Sequence, residues 1–136
     1  MWLSKQQKRA GRETPVETGQ VTLSGETVAV ELDSERRGLA VYAPGGYRWR
    51  PALGQKVLVL KTGEGPCVVG TPAPGGLAEG EVGLEAPGGA AVTLRAGGRV
   101  ALEEDVEVSG TLTVGGEELE ALIRRIAAEV AASMLP

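Results

Sequence analysis

The chain has 136 residues, 42% of them apolar, with 21 Gly, 8 Pro, 3% aromatics and a formal charge of −4. The apolar content excludes a disordered polymer, and the Gly/Pro excess with few aromatics suits short strands and tight turns around a thin core. One Cys and no His exclude an intrachain disulfide framework and leave a single chain without the usual zinc ligand sets. There is no secretory h-region and no apolar run near about 18 residues, so neither a signal peptide nor a membrane span is expected.

Charge is unevenly placed. Residues 1–15 carry +3, residues 16–76 are neutral, residues 77–116 carry −5 and residues 117–136 carry −2. An acidic C-terminal half repels phosphate, which argues against a general nucleic-acid binder.

In chain order, residues 1–15 (MWLSKQQKRAGRETP) have no strand period and read as a solvated tail. Trp2 and Leu3 beside four bases leave open a docking peptide that orders on a partner. Residues 16–72 hold five or six short strands and no helix. Val21/Leu23, Val28/Val30/Leu32 and Leu39/Val41 alternate between turn residues, and Gln55 to Lys61 (QKVLVLK) reads as a buried strand. That pattern predicts a small Greek-key barrel of OB type. Pro72 to Gly76 (PAPGG) suits neither helix nor central strand, so residues 73–78 are expected to be a linker.

Residues 79–116 carry an apolar pair at i and i+2 five times: Val82/Leu84, Val92/Leu94, Val100/Leu102, Val106/Val108 and Leu112/Val114. The period of two predicts short half-buried strands. At about 25 cal/mol per Å², two inward side chains gain only a few kcal/mol per strand, close to the entropy of ordering it. No aromatic residue lies beyond Glu79 to enlarge the core. The segment is therefore expected to stack as a solenoid or to share one core among several chains. Five irregularly spaced pairs are few for a solenoid and favour the shared core, with those ten residues facing the common axis.

From Glu117 the period changes. Leu119, Ile123, Ile126 and Val130 step by 4, 3 and 4, the seam spacing of a coiled coil, and Leu122 broadens the stripe. A helix over residues 117–136 is expected, with Glu117, Glu118 and Glu120 in its first turn. Its four seam residues are expected to pack on one another or on the repeat around the shared axis.

Candidate chemistry is sparse. Tyr42, Tyr47, Trp49, Arg48 and Arg50 have the composition of a stacking platform for single-stranded nucleic acid. Alternation, however, places Tyr47 and Trp49 opposite Arg48 and Arg50, so packing of the aromatics is the favoured reading. Cys67 has no His to serve as its base and reads as a small apolar strand residue. Glu103, Glu104 and Asp105 lack the spacing of a calcium loop and read as a solvated turn. The Gly pairs at 45–46, 75–76, 88–89, 97–98 and 115–116 lack the phosphate-loop form and read as turns. No catalytic, cofactor-binding or metal-ligating residue is assigned, and no enzyme activity is expected.

The order of barrel, Pro/Gly linker and short Val/Leu strands ending in GTLTVGG resembles the central spike proteins of contractile phage tails, the baseplate assembly protein V type. Arg50 to Gly70 (RPALGQKVLVLKTGEGPCVVG) is similar to the second half of their OB domain, and Asp105 to Gly116 (DVEVSGTLTVGG) to the repeat near the spike's end. The resemblance covers about residues 16–116. It implies a homotrimer whose barrels form a collar on the tail hub and whose three chains wind into an intertwined β-helix or prism that pierces the target cell envelope. It also implies a place in a virion tail or tail-like particle, after assembly in the cytoplasm. The chain departs from the family in two ways. Many members hold an iron ion at the apex through paired histidines, and this chain has no His. It also ends in a predicted helix, which either caps the spike or carries another tip protein. The fold expected is thus all-β with a C-terminal helix, an OB-type barrel followed by a trimeric prism. Two other readings are an OB module for single-stranded nucleic acid or glycan on a β-solenoid stalk, and a polymerising β-helical scaffold of the bactofilin kind, against which the N-terminal barrel argues.

Overall fold

A computed structural model describes residues 15–136. The expectations for the N-terminal tail, Trp2 and Leu3 included, lie outside the described residues except at Pro15. The chain is mostly β, with a closed five-stranded barrel and a C-terminal helix. It divides into two compact units between Gly75 and Gly76.

The first unit is the barrel. Its strands are β1 (Val16–Leu23), β2 (Val28–Glu31), β3 (Glu35–Val41), β4 (Lys56–Thr62) and β5 (Gly65–Gly70). They close in the order β1-β2-β3-β5-β4, with β4 antiparallel to β1. Only β3 and β5 run parallel, through Ala40 opposite Cys67 and Val41 opposite Val68. The order is consistent with the expected OB-type barrel. The ladder carries one residue further where the Tyr42 N–H donates to the Val68 carbonyl at 2.8 Å.

Alternation builds the barrel wall. In β4, Val57 and Val59 are buried while Leu58 and Leu60 remain partly exposed on the other face. The run QKVLVLK, expected as a buried strand, has one buried face, because a barrel wall has only one interior. That interior is filled by Val21, Val28, Val30, Leu39, Val57, Val59 and Val68, with Leu32, Val41 and Trp49 packed against them. A five-stranded barrel leaves a narrow lumen, and compact β-branched side chains fill it without bulky rings. Leu23, expected to alternate inward with Val21, is exposed because the β1–β2 register shifts between the two. The segment after β3 is tied to β1. The Val21 N–H donates to the Gln55 carbonyl at 2.9 Å, the Gly54 N–H donates to the Val21 carbonyl at 2.8 Å, and the Ser24 hydroxyl donates to the Pro51 carbonyl at 2.6 Å.

Gly19 is a point of close approach between β1 and β2. A Cβ there would strike the Glu31 carbonyl and lie 2.7 Å from both the Leu32 and Val30 side chains. The carbonyl cannot rotate away without breaking the adjacent Gln20–Glu31 pairing. Gly19→Ala is therefore expected to cost about 1–3 kcal/mol, the usual scale of overpacking. At roughly 4–8 °C per kcal/mol for a domain of this size, thermal melting would register the loss plainly. An unchanged midpoint would show that the strands part there without penalty.

The second unit begins with a three-stranded antiparallel sheet, β6 (Val82–Glu85), β7 (Ala91–Leu94) and β8 (Val100–Glu103). Its two hairpin turns are built alike. Gly89 and Gly98 sit at φ 98° and 84°, and each donates its N–H back three residues, to the Ala86 and Arg95 carbonyls. A three-residue loop with a left-handed glycine at its end is a common hairpin solution. A short hairpin follows, β9 (Thr113–Val114) with β10 (Glu117–Glu118), joined by Gly115 and Gly116 at φ 60° and 84°. Two positive φ values in a two-residue loop define a type I′ turn. Helix α1 (Leu119–Ser133) comes next.

Two expectations are corrected here. Glu117 and Glu118 belong to β10 and not to the first helical turn, because the type I′ turn folds them back onto Val114 and Thr113. Helix α1 starts at Leu119, whose N–H donates to the Leu112 carbonyl at 2.8 Å. Val106 and Val108 lie in no strand, since residues 105–111 pair with no strand among the described residues.

Candidate functional site

The feature that stands out is one face of the β6–β7–β8 sheet. The register sets Val82 opposite Leu94 and Leu94 opposite Val100, and it sets Leu84 opposite Val92 and Val92 opposite Leu102. Residues directly opposite, or two apart on one strand, share a face. All six therefore form one apolar surface of two rows by three strands. Within the single chain this surface is open, with exposures from 37% at Val92 to 60% at Val100.

The reverse face differs in kind. Its centre is the row Gly83, Thr93 and Ala101, which lie opposite one another across the strands. Thr93 is buried, and the Leu77 side chain approaches Gly83 closely enough that a Cβ would sit 3.5 Å from it. Beside that row runs a chain of charge. The Arg95 guanidinium lies 3.4 Å from Glu81 and 3.8 Å from Glu103. The Ala78 N–H donates to Glu81 Oε1 at 2.9 Å. That backbone hydrogen bond is the main cause holding the Glu81 carboxyl below its ordinary range, and Arg95 adds to it. The sheet is thus closed and ionic on one side and bare and apolar on the other.

The remaining residues of the expected shared core are also open in the single chain. Val106, Val108, Leu112 and Val114 are all exposed. So is the helical stripe of Leu119, Ile123, Ile126 and Val130, at 37–58%. The charged side chains of α1 are paired away from that stripe. Glu120 meets Arg124 at 2.7 Å, and Arg125 meets both Glu129 and Glu117 at 3.1 Å. Those two carboxylates, Glu117 first, raise the Arg125 guanidinium above its ordinary value.

The aromatic and basic residues of the barrel do not assemble as alternation suggested. No strand covers residues 42–55. Tyr47 sits in a turn, donating its N–H to the Pro44 carbonyl at 3.0 Å, and is exposed, whereas Trp49 packs against the core. Arg50 reaches Glu26 at 3.4 Å. Cys67 is buried in β5. Glu104 takes a left-handed φ of 71° at the end of β8, and Glu103 is engaged by Arg95, so the acidic cluster forms a turn with one paired member. Among the described residues no three acidic or sulfur ligands converge as a metal set.

Sequence reasoning passed over the Glu81–Arg95–Glu103 chain and Leu77. The signal was available. Each of the three charged residues flanks an apolar pair by one position, which puts it on the opposite face of its strand. Comparison with protein-family models and with curated proteins finds no match for this chain.

Proposed function

We propose that this protein is a structural spike, a homotrimer in which three chains bury their bare sheet faces against one another around a common axis. The observation that carries this reading is the six-residue apolar face of β6–β7–β8, open in one chain and backed by an ionic, solvent-compatible surface. A contiguous apolar surface of that kind calls for a partner. Threefold closure supplies it with identical faces and leaves the Glu81–Arg95–Glu103 side in water. It also supplies neighbours for the outer edges of β6 and β8 and for residues 105–111, with which no strand pairs among the described residues.

In this reading the role is mechanical and not enzymatic. The barrel docks on a tail hub or baseplate, and the acidic prism is driven into the target envelope by sheath contraction. A prism whose strands are all paired around the axis resists buckling. The support for the tail-baseplate setting is the resemblance of residues 16–116 to the central spike proteins, together with a closed five-stranded barrel ahead of short strands. The test is the mass of the full-length protein by light scattering at micromolar concentration. A mass three times the 14.0 kDa of one chain is expected. A single-chain mass would overturn the proposal.

A further inference from the structure

Helix α1 presents a second apolar surface, independent of the sheet face. Among the described residues its main contacts run to β10, and it buries none of its residues. The stripe is therefore open in the single chain. We propose that α1 is a self-association element in which three copies form a parallel helical bundle through Leu119, Ile123, Ile126 and Val130.

Residue type selects the occupant. Steps of 4, 3 and 4 assign Leu119 and Ile126 to d positions and Ile123 and Val130 to a positions of a heptad. A β-branched residue at d is poorly accommodated in two-stranded coils, and Ile at both a and d shifts preference to three or four strands. The central layers here are Ile123 and Ile126. Charge agrees with like-to-like packing. The Glu120–Arg124 and Arg125–Glu129 pairs close within one helix, so the seam carries no charge. In a parallel alignment the flanking contacts between copies bring Leu122 to Ala127 and Glu129 to Met134, so no like charges meet across the bundle.

Direction follows from the way the helix starts. Leu119 is hydrogen-bonded to Leu112 and follows β10 without a loop. Three hairpins held side by side launch three helices from the same end. The copy number and this direction rest on the trimeric reading above, whereas the seam itself does not. A seam of under three heptads is marginal alone, and the upstream strands supply the high local concentration that closes it.

The test uses the full chain. Ile126→Asp is expected to abolish most of the helical circular-dichroism signal at 222 nm while light scattering still reports three chains. In a Cys67→Ala background, nitroxides on Ala121→Cys or on Ala128→Cys, one heptad apart on the outer face, are expected to give one narrow interspin distance with the same value at both sites. A three-chain mass with an unaltered 222 nm signal in Ile126→Asp and broad distances at both sites would overturn the bundle and leave the spike standing. Unequal distances at the two sites would overturn the parallel arrangement. A single-chain mass for the unmodified protein would overturn both proposals. Loss of the trimer in Ile126→Asp alone would support the bundle and show that its seam is required for assembly.

Discussion

Val92→Asp is expected to convert the proposed trimer to single chains. Val92 lies on the central strand β7 and is opposed by Leu84 on one side and Leu102 on the other. It is also the least exposed of the six face residues even before assembly. In the proposed trimer a carboxylate there has no partner, because Arg95, just past the end of this strand, is engaged on the reverse face. Removing an uncompensated charge from water costs about 3–5 kcal/mol per site. In the proposed assembly the three carboxylates would also lie near one axis and repel each other. The association constant should fall by about six orders of magnitude or more, at roughly 1.4 kcal/mol per factor of ten. Glu85→Ala, an exposed change on the ionic side, provides the control and should leave the mass unaltered. Retention of the trimer in Val92→Asp would mean that the sheet faces do not form the interface.

Leu39→Ala is expected to have the largest effect on the barrel. Leu39 is 1% exposed and is the largest of the fully buried side chains, in a core otherwise made of valine. Its truncation leaves a cavity among the six buried valines of the core. Leu→Ala changes at such sites cost about 2–5 kcal/mol, and rigid surroundings favour the upper half of that range. The strands on either side are held by closure of the barrel and cannot collapse into the space. A barrel of about 60 residues has little stability in reserve. Its melting midpoint should drop by roughly 10–30 °C. A loss under about 1 kcal/mol would mean that the neighbouring valines repack into the cavity.

The barrel was legible where apolar residues step by two between turn residues, Asp33-Ser34 as well as Gly and Pro, so Val28, Val30, Leu39, Val57 and Val59 read as interior from spacing alone. Spacing did not show that β2 and β5 also bury consecutive residues, Ala29 beside Val28 and Cys67 beside Val68. The exceptions each had a local cause that spacing does not carry. Leu23 turned outward at a register shift. Trp49 packed inward from a segment that is not a strand, so alternation had no bearing on it or on Tyr47. Gly115–Gly116 stood directly before a helical period, which made Glu117 and Glu118 look like a first turn. The two left-handed glycines instead made a hairpin and delayed the helix to Leu119. The apolar face of β6–β7–β8 was foreseen as a set of inward residues, but its ionic reverse was not. Recognising that side required the register that brings Glu81, just before β6, and Arg95, just after β7, together with Glu103 of β8.

The Leu119–Leu112 hydrogen bond makes the start of α1 part of the β9–β10 hairpin, with no loop between them. A push or pull applied at the far end of α1 is consequently not absorbed by a hinge. It arrives at the hairpin as a load on backbone hydrogen bonds, the Leu119–Leu112 bond first and then the two pairs of the short ladder. Whatever the helix touches is coupled to the strands through that short ladder.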